Sequence, residues 1–205
     1  RALLLEHAAH VIAIEKDRRA GSILSSLCTA AGDRLSLIEA DALESPIWEF
    51  GTAPRRIIAN LPYNIATTLL IRWLAHATAF ESMTLMFQRE VAERITARPG
   101  DPAYSRLSVL TGYYADAEIL FDVPAEAFVP APKIISSVVQ IVPLAQPRYD
   151  CSAQALELIT RTAFGQRRKM LRSSLKKING EQLLAAAGID PDARPQQLDI
   201  ESFCT

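Results

Sequence analysis

The chain has 205 residues, of which 49% are hydrophobic, and a formal net charge of −1. This length is enough for one full domain and a small second one, and the near-neutral charge excludes a uniformly basic nucleic-acid binder. Three cysteines far apart in the sequence exclude a disulfide scaffold and indicate a reduced cytoplasmic protein, and three histidines without further ligands around them predict no metal site.

The chain opens at Arg1 on an apolar, helix-like segment. Acid and histidine interrupt this segment, so it has neither the order of a signal peptide nor the length of a membrane span, and we expect no membrane partner. Because the segment begins without Met, we expect that residues upstream of it have been cut away.

Predicted strands and helices alternate over the first two thirds of the chain. In chain order they are strand 11–14, helix 18–31, strand 35–38, strand 56–59, helix 66–77, strand 83–87, helix 90–97 and helix 104–114. Two strands follow, 118–123 and 137–142, with no helix between them, and we expect them to pair antiparallel.

A change of pattern at residues 143–147 predicts a domain boundary. Beyond it the pattern is wholly helical, with segments 153–164, 168–178 and 181–187. We therefore predict an α/β domain over residues 1–145, with a Rossmann-like, mostly parallel sheet whose last strand is antiparallel, and a small helical domain over residues 146–205.

Polar residues follow two predicted strands at the edge where a doubly wound sheet binds its ligand. Glu15 closes the first strand and can accept hydrogen bonds from both hydroxyls of a nucleoside ribose, although a solvated surface acid is the alternative. Asp41 can accept from an adenine amino group while the Ala42 amide donates to a ring nitrogen. The alternative for Asp41 is a helix cap or a turn.

The segment Asn60-Leu61-Pro62-Tyr63, which follows the strand at 56–59, is the most specific signal. The lone pair of an adenine amino nitrogen is delocalised into the ring, so methyl transfer to it requires an amino group that is held and aimed. The Asn60 side-chain carbonyl and the Leu61 backbone carbonyl can accept its two hydrogens. Pro62 stiffens the turn, and Tyr63 offers a π-face to an unstacked base. The alternative is a Pro-Tyr turn that caps a helix.

Six segments resemble the ribosomal RNA adenine N6,N6-dimethyltransferases, a family that also includes the macrolide-resistance methyltransferases of large-subunit rRNA. They are IEKD at 14–17, EADAL at 39–43, NLPYN at 60–64, FQREVAERI at 87–95, FVPAPKIISSVV at 128–139 and FGQRRKMLRSSLK at 164–176. The resemblance covers nearly the whole chain. It implies a class I methyltransferase fold and S-adenosylmethionine as the cofactor.

The resemblance also implies roles for individual residues. The implied cofactor-binding residues are Glu15, Lys16, Asp41, Ala42 and Asn60. The implied target-holding residues are Asn60, Leu61, Pro62, Tyr63 and Phe128. In this assignment Phe128 stacks on the target base opposite Tyr63, whereas without the resemblance we would interpret Phe128 as a core aromatic.

Residues 161–177 contain seven basic residues and no acid. A helix over 168–178 would align Arg168, Arg172 and Lys176 at a spacing of four, which suits contacts to phosphates. A solvated basic face is the alternative, and the resemblance favours RNA. The predicted RNA-binding residues are Arg167, Arg168, Lys169, Arg172 and Lys176.

The family's glycine-rich loop, which cradles the methionine part of the cofactor, is expected just before Arg1. Without that loop and its strand, the strands at 11–14 and 56–59 would each lack a neighbour. We therefore expect either a fragment of a longer chain or a chain that folds poorly and binds the cofactor weakly.

The leading hypothesis is an enzyme that moves methyl groups from S-adenosylmethionine to N6 of adjacent adenines near the 3′ end of small-subunit rRNA. The predicted partner is rRNA within an immature small ribosomal subunit, and the predicted state is a cytoplasmic monomer. One alternative is a large-subunit enzyme of the macrolide-resistance type, against which the basic segment weighs. The other is a non-catalytic ribosome-assembly factor, against which the intact Asn60–Tyr63 segment weighs.

Overall fold

The computed structural model describes residues 8–205, apart from the side chain of Ser22, and the chain divides into two units. The first unit is Arg1–Arg55 and the second is Arg56–Thr205. The helix-like segment predicted to begin at Arg1 lies outside the described residues. The domain boundary predicted after residue 145 stays a prediction.

The first unit contains a two-stranded parallel sheet and one long helix: strand β1 (Val11–Glu15), helix α1 (Arg18–Ala31) and strand β2 (Leu35–Glu39). Helix α1 begins where the Asp17 side chain accepts a hydrogen bond from the Arg19 amide at 3.0 Å. It ends at Gly32, whose φ of 56° lies in the left-handed region that favours glycine. The register places Glu15 opposite Glu39, at the carboxyl ends of both strands.

The second unit contains a four-stranded sheet. In chain order its first elements are β3 (Arg56–Asn60), α2 (Tyr63–Leu74), β4 (Ser82–Gln88), α3 (Arg89–Thr96), α4 (Arg106–Tyr114), β5 (Ala115–Val123) and β6 (Ser136–Pro143). The strand order is β3-β4-β6-β5, with β3 parallel to β4 and β6 antiparallel to both of its neighbours. The antiparallel pairing predicted for the last two strands is therefore confirmed. Within residues 8–205, β1 pairs only with β2 and β3 pairs only with β4.

The core of the second unit includes the central strands of its sheet. On β4 every second side chain, at Met83, Leu85 and Phe87, is fully buried, and the paired residues Val139 and Ile141 of β6 are buried as well. Burial of each such side chain stabilises the fold by roughly 1.5–3 kcal/mol, and a slip of one residue would expose the whole set. The resulting fixed register brings the ends of β3 and β4 and the start of β6 to one edge of the sheet.

The C-terminal helices share a hydrophobic cluster with α4. They are α5 (Ala153–Phe164), α6 (Leu171–Ser174), α7 (Gly180–Ala186) and α8 (Ile200–Cys204). Val109 and Tyr113 of α4 belong to this cluster, together with Leu156 of α5, Leu171 of α6 and Phe203 of α8. Among the described residues, every helix falls short of the length and apolar character that a membrane crossing requires.

The single helix predicted over residues 168–178 is wrong. Residues 165–170 form turns and a bend, α6 is a single helical turn, and a 3-10 turn follows at Lys176–Ile178. The predicted helical face does not form, and its three cations belong to different local structures: Arg168, Arg172 and Lys176.

Tertiary hydrogen bonds account for this break. The Leu171 amide donates to the Ala193 carbonyl at 2.8 Å, and the Arg172 amide donates to the Pro191 carbonyl at 3.0 Å. Inside a continuous helix these amides would donate to carbonyls four residues earlier in the chain. The buried Leu171 side chain favours the same arrangement because it fixes this point of the chain within the hydrophobic cluster.

Candidate active site

Glu15 lies at the carboxyl end of β1, where the first unit carries its predicted cofactor residues. Its Oε1 accepts a hydrogen bond from the Asp17 amide at 2.8 Å, and its backbone carbonyl accepts one from the Ala40 amide at 3.1 Å. Within the described residues no second donor reaches the carboxylate, so Oε2 is available to a ligand. A half-buried carboxylate in a fixed position can accept hydrogen bonds from ribose hydroxyls.

Asp41 is held as an anion in the turn after β2. Its Oδ2 accepts a hydrogen bond from Lys16 Nζ at 2.7 Å, and its Oδ1 accepts one from the Leu43 amide at 2.9 Å. These two donors hold the pKa of Asp41 below its usual value, and the hydrogen bond to Asp41 raises the pKa of Lys16. The Ala42 amide has no acceptor within the part of the chain that the structure describes.

These polar groups fit the adenosine part of a nucleoside cofactor. Adenine presents an amino donor beside a ring-nitrogen acceptor, and the Asp41 carboxylate with the Ala42 amide offers the complementary pair. The cofactor roles stay predictions for all five residues: Glu15, Lys16, Asp41, Ala42 and Asn60. Across residues 8–205, no group of three or more His, Cys, Asp or Glu side chains is placed to hold a metal ion.

Replacement of Lys16 by Met is expected to raise the pKa of Asp41 toward its ordinary value of 3.8. The variant removes a donor and a positive charge that favour the ionised carboxylate, but it leaves the Leu43 amide in place. An NMR titration of the Asp41 carboxyl carbon measures the shift. Lys176→Met removes an exposed lysine of the second unit and should leave the pKa of Asp41 unchanged.

The Lys16–Asp41 pair also makes the stability of the folded protein depend on pH, with lower stability at acidic pH. A carboxyl group whose pKa is lower in the folded protein stabilises the fold above its unfolded pKa, and this contribution is lost as the pH falls through the folded pKa. Below pH 3.8 the melting temperature of the wild type should therefore decline more than that of Lys16→Met. An equal decline in both proteins would contradict the assignment.

A pocket of about 330 Å³ borders the edge of the second unit's sheet where β3 ends. One wall is the segment Asn60–Tyr63, and the other is a later loop that contributes Phe128, Pro130 and Pro132. The structure thus brings together all the residues predicted to hold the target base: Asn60, Leu61, Pro62, Tyr63 and Phe128. Pro130 and Pro132 were not predicted to belong to the site, although the run FVPAP marks their loop.

The turn from Asn60 to Tyr63 is rigid because Leu61 is buried and Pro62 is the N-cap residue of helix α2. The Leu61 side chain is 5% exposed, and the Pro62 carbonyl accepts a hydrogen bond from the Ala66 amide at 3.0 Å. Among the residues described, neither the Asn60 side chain nor the Leu61 carbonyl has a hydrogen-bond partner. Two unused acceptors on a rigid turn can receive the two hydrogens of an amino group.

The Tyr63 ring is held at its hydroxyl end. Its Oη lies 2.7 Å from Ser136 Oγ, and Ser136 is fully buried at the first position of β6. The half-buried Phe128 lines the pocket from the loop that leads to β6. Aromatic rings from two separate segments therefore offer surfaces for a base that has left its stack.

The similarity to known proteins extends along the whole chain. The family model described as Ribosomal RNA adenine dimethylase matches residues 2–205. The chain belongs to the ribosomal RNA adenine dimethylase family. The resemblance seen in the six sequence segments is thus confirmed, and with it the enzyme class and S-adenosylmethionine as the cofactor.

Relatives of this dimethylase cover nearly all of the chain. It is 52% identical over 204 residues to Ribosomal RNA small subunit methyltransferase A of Rhodospirillum rubrum, covering 99% of this chain and 71% of the relative. It is 54% identical over 208 residues to the protein of the same name in Bartonella quintana, covering 98% of this chain and 75% of the relative. The crystal structure of a dimethyladenosine transferase from Plasmodium falciparum is similar with a TM-score of 0.75 at 25% identity, covering 95% of this chain and 79% of that one. The predicted α/β methyltransferase fold is confirmed.

The predicted RNA-binding cations of this dimethylase lie on turns and short helical segments instead of on one helix. Arg167 donates a hydrogen bond to the Pro102 carbonyl, and Arg172 forms an ion pair with Asp192, with Nε and Oδ1 3.0 Å apart. The other three are exposed and have no side-chain hydrogen bond or ion pair within residues 8–205: Arg168, Lys169 and Lys176. These three cations are available to phosphates, and the RNA-binding role of the segment stays a prediction.

Proposed function

We propose that this dimethylase transfers methyl groups from S-adenosylmethionine to N6 of adjacent adenines near the 3′ end of small-subunit rRNA, giving N6,N6-dimethyladenosine during ribosome biogenesis. The observation that carries the proposal is the pocket in which two acceptors without a hydrogen-bond partner in residues 8–205, on Asn60 and Leu61, meet the rings of Tyr63 and Phe128. The choice of small-subunit RNA rests on the relatives that bear that name at 52% and 54% identity. The substrate is RNA within an immature small ribosomal subunit, and the enzyme is a cytoplasmic monomer.

The pocket residues hold the amino group of the target adenine. The Asn60 side-chain carbonyl and the Leu61 backbone carbonyl accept its two hydrogens, so N6 is fixed in place and in orientation. Tyr63 and Phe128 provide stacking surfaces that compensate the base for the stacking it loses in the RNA. These interactions need no nucleophile from the protein, because N6 itself is the attacking atom.

When bound, S-adenosylmethionine supplies an electrophilic methyl group. The Glu15 carboxylate binds its ribose hydroxyls, and the Asp41 carboxylate with the Ala42 amide binds its adenine. Lys16 fixes the Asp41 carboxylate in place through the hydrogen bond described above, which also lowers the pKa of Asp41. Asn60 keeps its predicted role toward the cofactor as well as toward the target.

Dimethylation requires the pocket to hold N6 of the same adenine for two successive methyl transfers. Each transfer replaces one hydrogen of N6 by a methyl group and releases one proton. After the first transfer only one hydrogen remains for the carbonyls of Asn60 and Leu61. The remaining hydrogen can still meet one of these two acceptors, and the pocket must accommodate the new methyl group in place of the lost hydrogen.

Incubation with labelled S-adenosylmethionine and ribosomal particles tests the proposal. The substrates are immature small subunits from cells that lack the modification, free small-subunit rRNA, and large subunits. We expect dimethylated adenines near the 3′ end of the RNA in the immature small subunits. Methylation of large subunits alone would replace the proposal by an enzyme of the macrolide-resistance type, and RNA binding without transfer would replace it by a non-catalytic assembly factor. Sedimentation of the free protein checks the monomeric state.

Replacement of Arg168 and Lys169 by Ala is expected to weaken RNA binding and to flatten its salt dependence. For each phosphate that the variant no longer binds, the slope of log K against log salt concentration should fall by up to about one. Arg172→Ala should change the slope less, because Arg172 is already paired with Asp192. Binding titrations at several salt concentrations measure these slopes.

The matched control for the basic segment is Arg56→Ala. This variant removes one positive charge from β3, where Arg56 is paired with Glu81 through hydrogen bonds of 2.8 and 3.0 Å. Its slope should equal that of the wild type. A fall in slope half as large as that of the double variant, which removes two charges, would show that net charge, and not the basic segment, sets the salt dependence.

A further inference from the structure

Ser136 is a fully buried residue whose hydroxyl contacts one of the two aromatic residues of the pocket. Its Oγ lies 2.7 Å from the Tyr63 hydroxyl oxygen, and either oxygen can donate. In the sheet Ser136 pairs with Gln88 of β4 on one side and with Val123 of β5 on the other. Pairing on both sides makes this hydroxyl a fixed point, since side chains on paired strands are held more accurately than those on loops.

The Tyr63 side chain needs a hydrogen bond to fix its orientation, because the residues packed around it leave it partly exposed. It is the first residue of α2, directly after Pro62, and its side chain is only half-buried. A tyrosine side chain turns about two bonds, and a hydrogen bond at the hydroxyl, far from the backbone, restricts both rotations. The hydrogen bond to Ser136 therefore sets the direction of the Tyr63 ring.

The same hydrogen bond joins the two walls of the pocket. Tyr63 belongs to the turn after β3, whereas Phe128 lies on the loop that ends where Ser136 begins β6. A hydrogen bond between this turn and the end of this loop ties the two segments together. The two aromatic residues are thereby held in one arrangement relative to each other.

We infer that Ser136 is a positioning residue for methyl transfer. Its hydroxyl orients the Tyr63 ring so that a stacked adenine directs N6 at the carbonyls of Asn60 and Leu61. This role rests on the proposed function of the pocket. Ser136 itself does not line the pocket, so it acts through Tyr63 and not on the base.

Ser137 offers a matched control within the same strand. It is also fully buried, but its hydroxyl donates to Asp122 Oδ1 at 2.6 Å, and neither of these two residues lines the pocket. Ser136→Ala and Ser137→Ala therefore remove the same atom, at the same burial, from adjacent positions. A purely structural role for Ser136 predicts the same kinetic effect from both variants.

The experiment measures kcat and the KM for RNA in Ser136→Ala, Tyr63→Phe, the double variant and Ser137→Ala. We expect kcat to fall roughly three- to tenfold in each of the first two, as for the removal of one hydrogen bond, while KM stays close to that of the wild type. The kcat of the double variant should fall no further than that of the more affected single variant, because both changes remove one shared hydrogen bond. Ser137→Ala should keep the wild-type kcat.

A fluorine NMR signal tests the hydrogen bond without turnover. The resonance of 3-fluorotyrosine at position 63 is assigned by its disappearance in Tyr63→Phe. Ser136→Ala should shift this resonance, and Ser137→Ala should not. If Ser136→Ala does not fold, Tyr63→Phe removes the same hydrogen bond by a change at its half-buried partner. An undiminished kcat in Tyr63→Phe then overturns the inference.

Failure of the inference is distinct from failure of the proposed function. If the wild type transfers methyl groups but Ser136→Ala and Ser137→Ala have equal kcat values, or if the effects of the two single changes multiply in the double variant, only the inference is overturned. An unshifted fluorine resonance in Ser136→Ala overturns it as well. If the wild type transfers no methyl group to any RNA, the proposed function is wrong and the inference falls with it.

Discussion

Asn60→Ala is expected to lower the rate of methyl transfer on the order of 10²–10³-fold, the scale observed when one preorganised hydrogen-bonding group is removed from an active site. The Asn60 side chain is one of two acceptors on the rigid turn after β3, and the Leu61 carbonyl alone cannot hold both hydrogens of the amino group. RNA binding should stay nearly unchanged, because in its proposed role Asn60 aims the base and does not anchor phosphates. Single-turnover rates and binding titrations measure the two effects separately.

Asn64→Ala is the matched control for this prediction. Asn64 is exposed on the first turn of α2 and does not line the pocket, so its replacement should leave the rate unchanged. Near-normal turnover by Asn60→Ala would contradict the role assigned to its side chain. An equal fall in rate in Asn64→Ala would point to damage in α2 and not to a missing acceptor.

Glu15→Ala should raise the Kd for S-adenosylmethionine by about a hundredfold. In the proposed role the carboxylate accepts hydrogen bonds from two ribose hydroxyls, each contributing roughly 1.5 kcal/mol or more, and every 1.4 kcal/mol is a tenfold change in Kd. Titration calorimetry on the full-length protein measures the change. Glu15→Gln keeps one acceptor oxygen without the charge and should give an intermediate Kd.

Glu39→Ala provides the control for the cofactor prediction. Glu39 lies opposite Glu15 at the end of the neighbouring strand, and its carboxylate is paired with Arg18. The control removes the same side chain from the same edge of the sheet, so the Kd should equal that of the wild type. A wild-type Kd in Glu15→Ala would remove Glu15 from the cofactor site.

Elements whose signals are local could be predicted from the sequence. Helix α1 matches its predicted bounds to the residue, because Asp17 marks its start and Gly32 marks its end. Helix α2 begins at Tyr63, three residues before the predicted start, because Pro62 is its N-cap residue. Helix α8 was not predicted, and its five residues are too short for a periodic pattern to emerge.

The segment at 168–178 shows why a periodic pattern can mislead. Its apolar residues Leu171 and Leu175 are buried in the cluster, as their spacing indicates. Its backbone, however, binds the carbonyls of Pro191 and Ala193, which lie about twenty positions further along the chain. Hydrogen bonds of that kind leave no trace in local sequence.

The residues of the candidate site also differ in whether local sequence is enough to predict them. Asn60–Tyr63 could be predicted because a strand end followed by these residue types points to the chemistry directly. Phe128 required the family resemblance, since an aromatic residue in a proline-rich loop has no distinctive signal of its own. The hydrogen bond of Ser136 could not be predicted at all, because Tyr63 and Ser136 are 73 positions apart and a buried serine has many possible partners.

The direction of β6 determines when during synthesis the pocket can exist. Because β6 runs antiparallel to β4, the loop before this strand, and not the loop after it, reaches the edge where β3 ends. The wall at Asn60–Tyr63 therefore leaves the ribosome well before the wall at Phe128, and the later wall is secured only once β6 has paired with both neighbours. A nascent chain that ends before β6 lacks the strand that holds the later wall, so the pocket cannot be complete until most of the second unit's sheet has been synthesised.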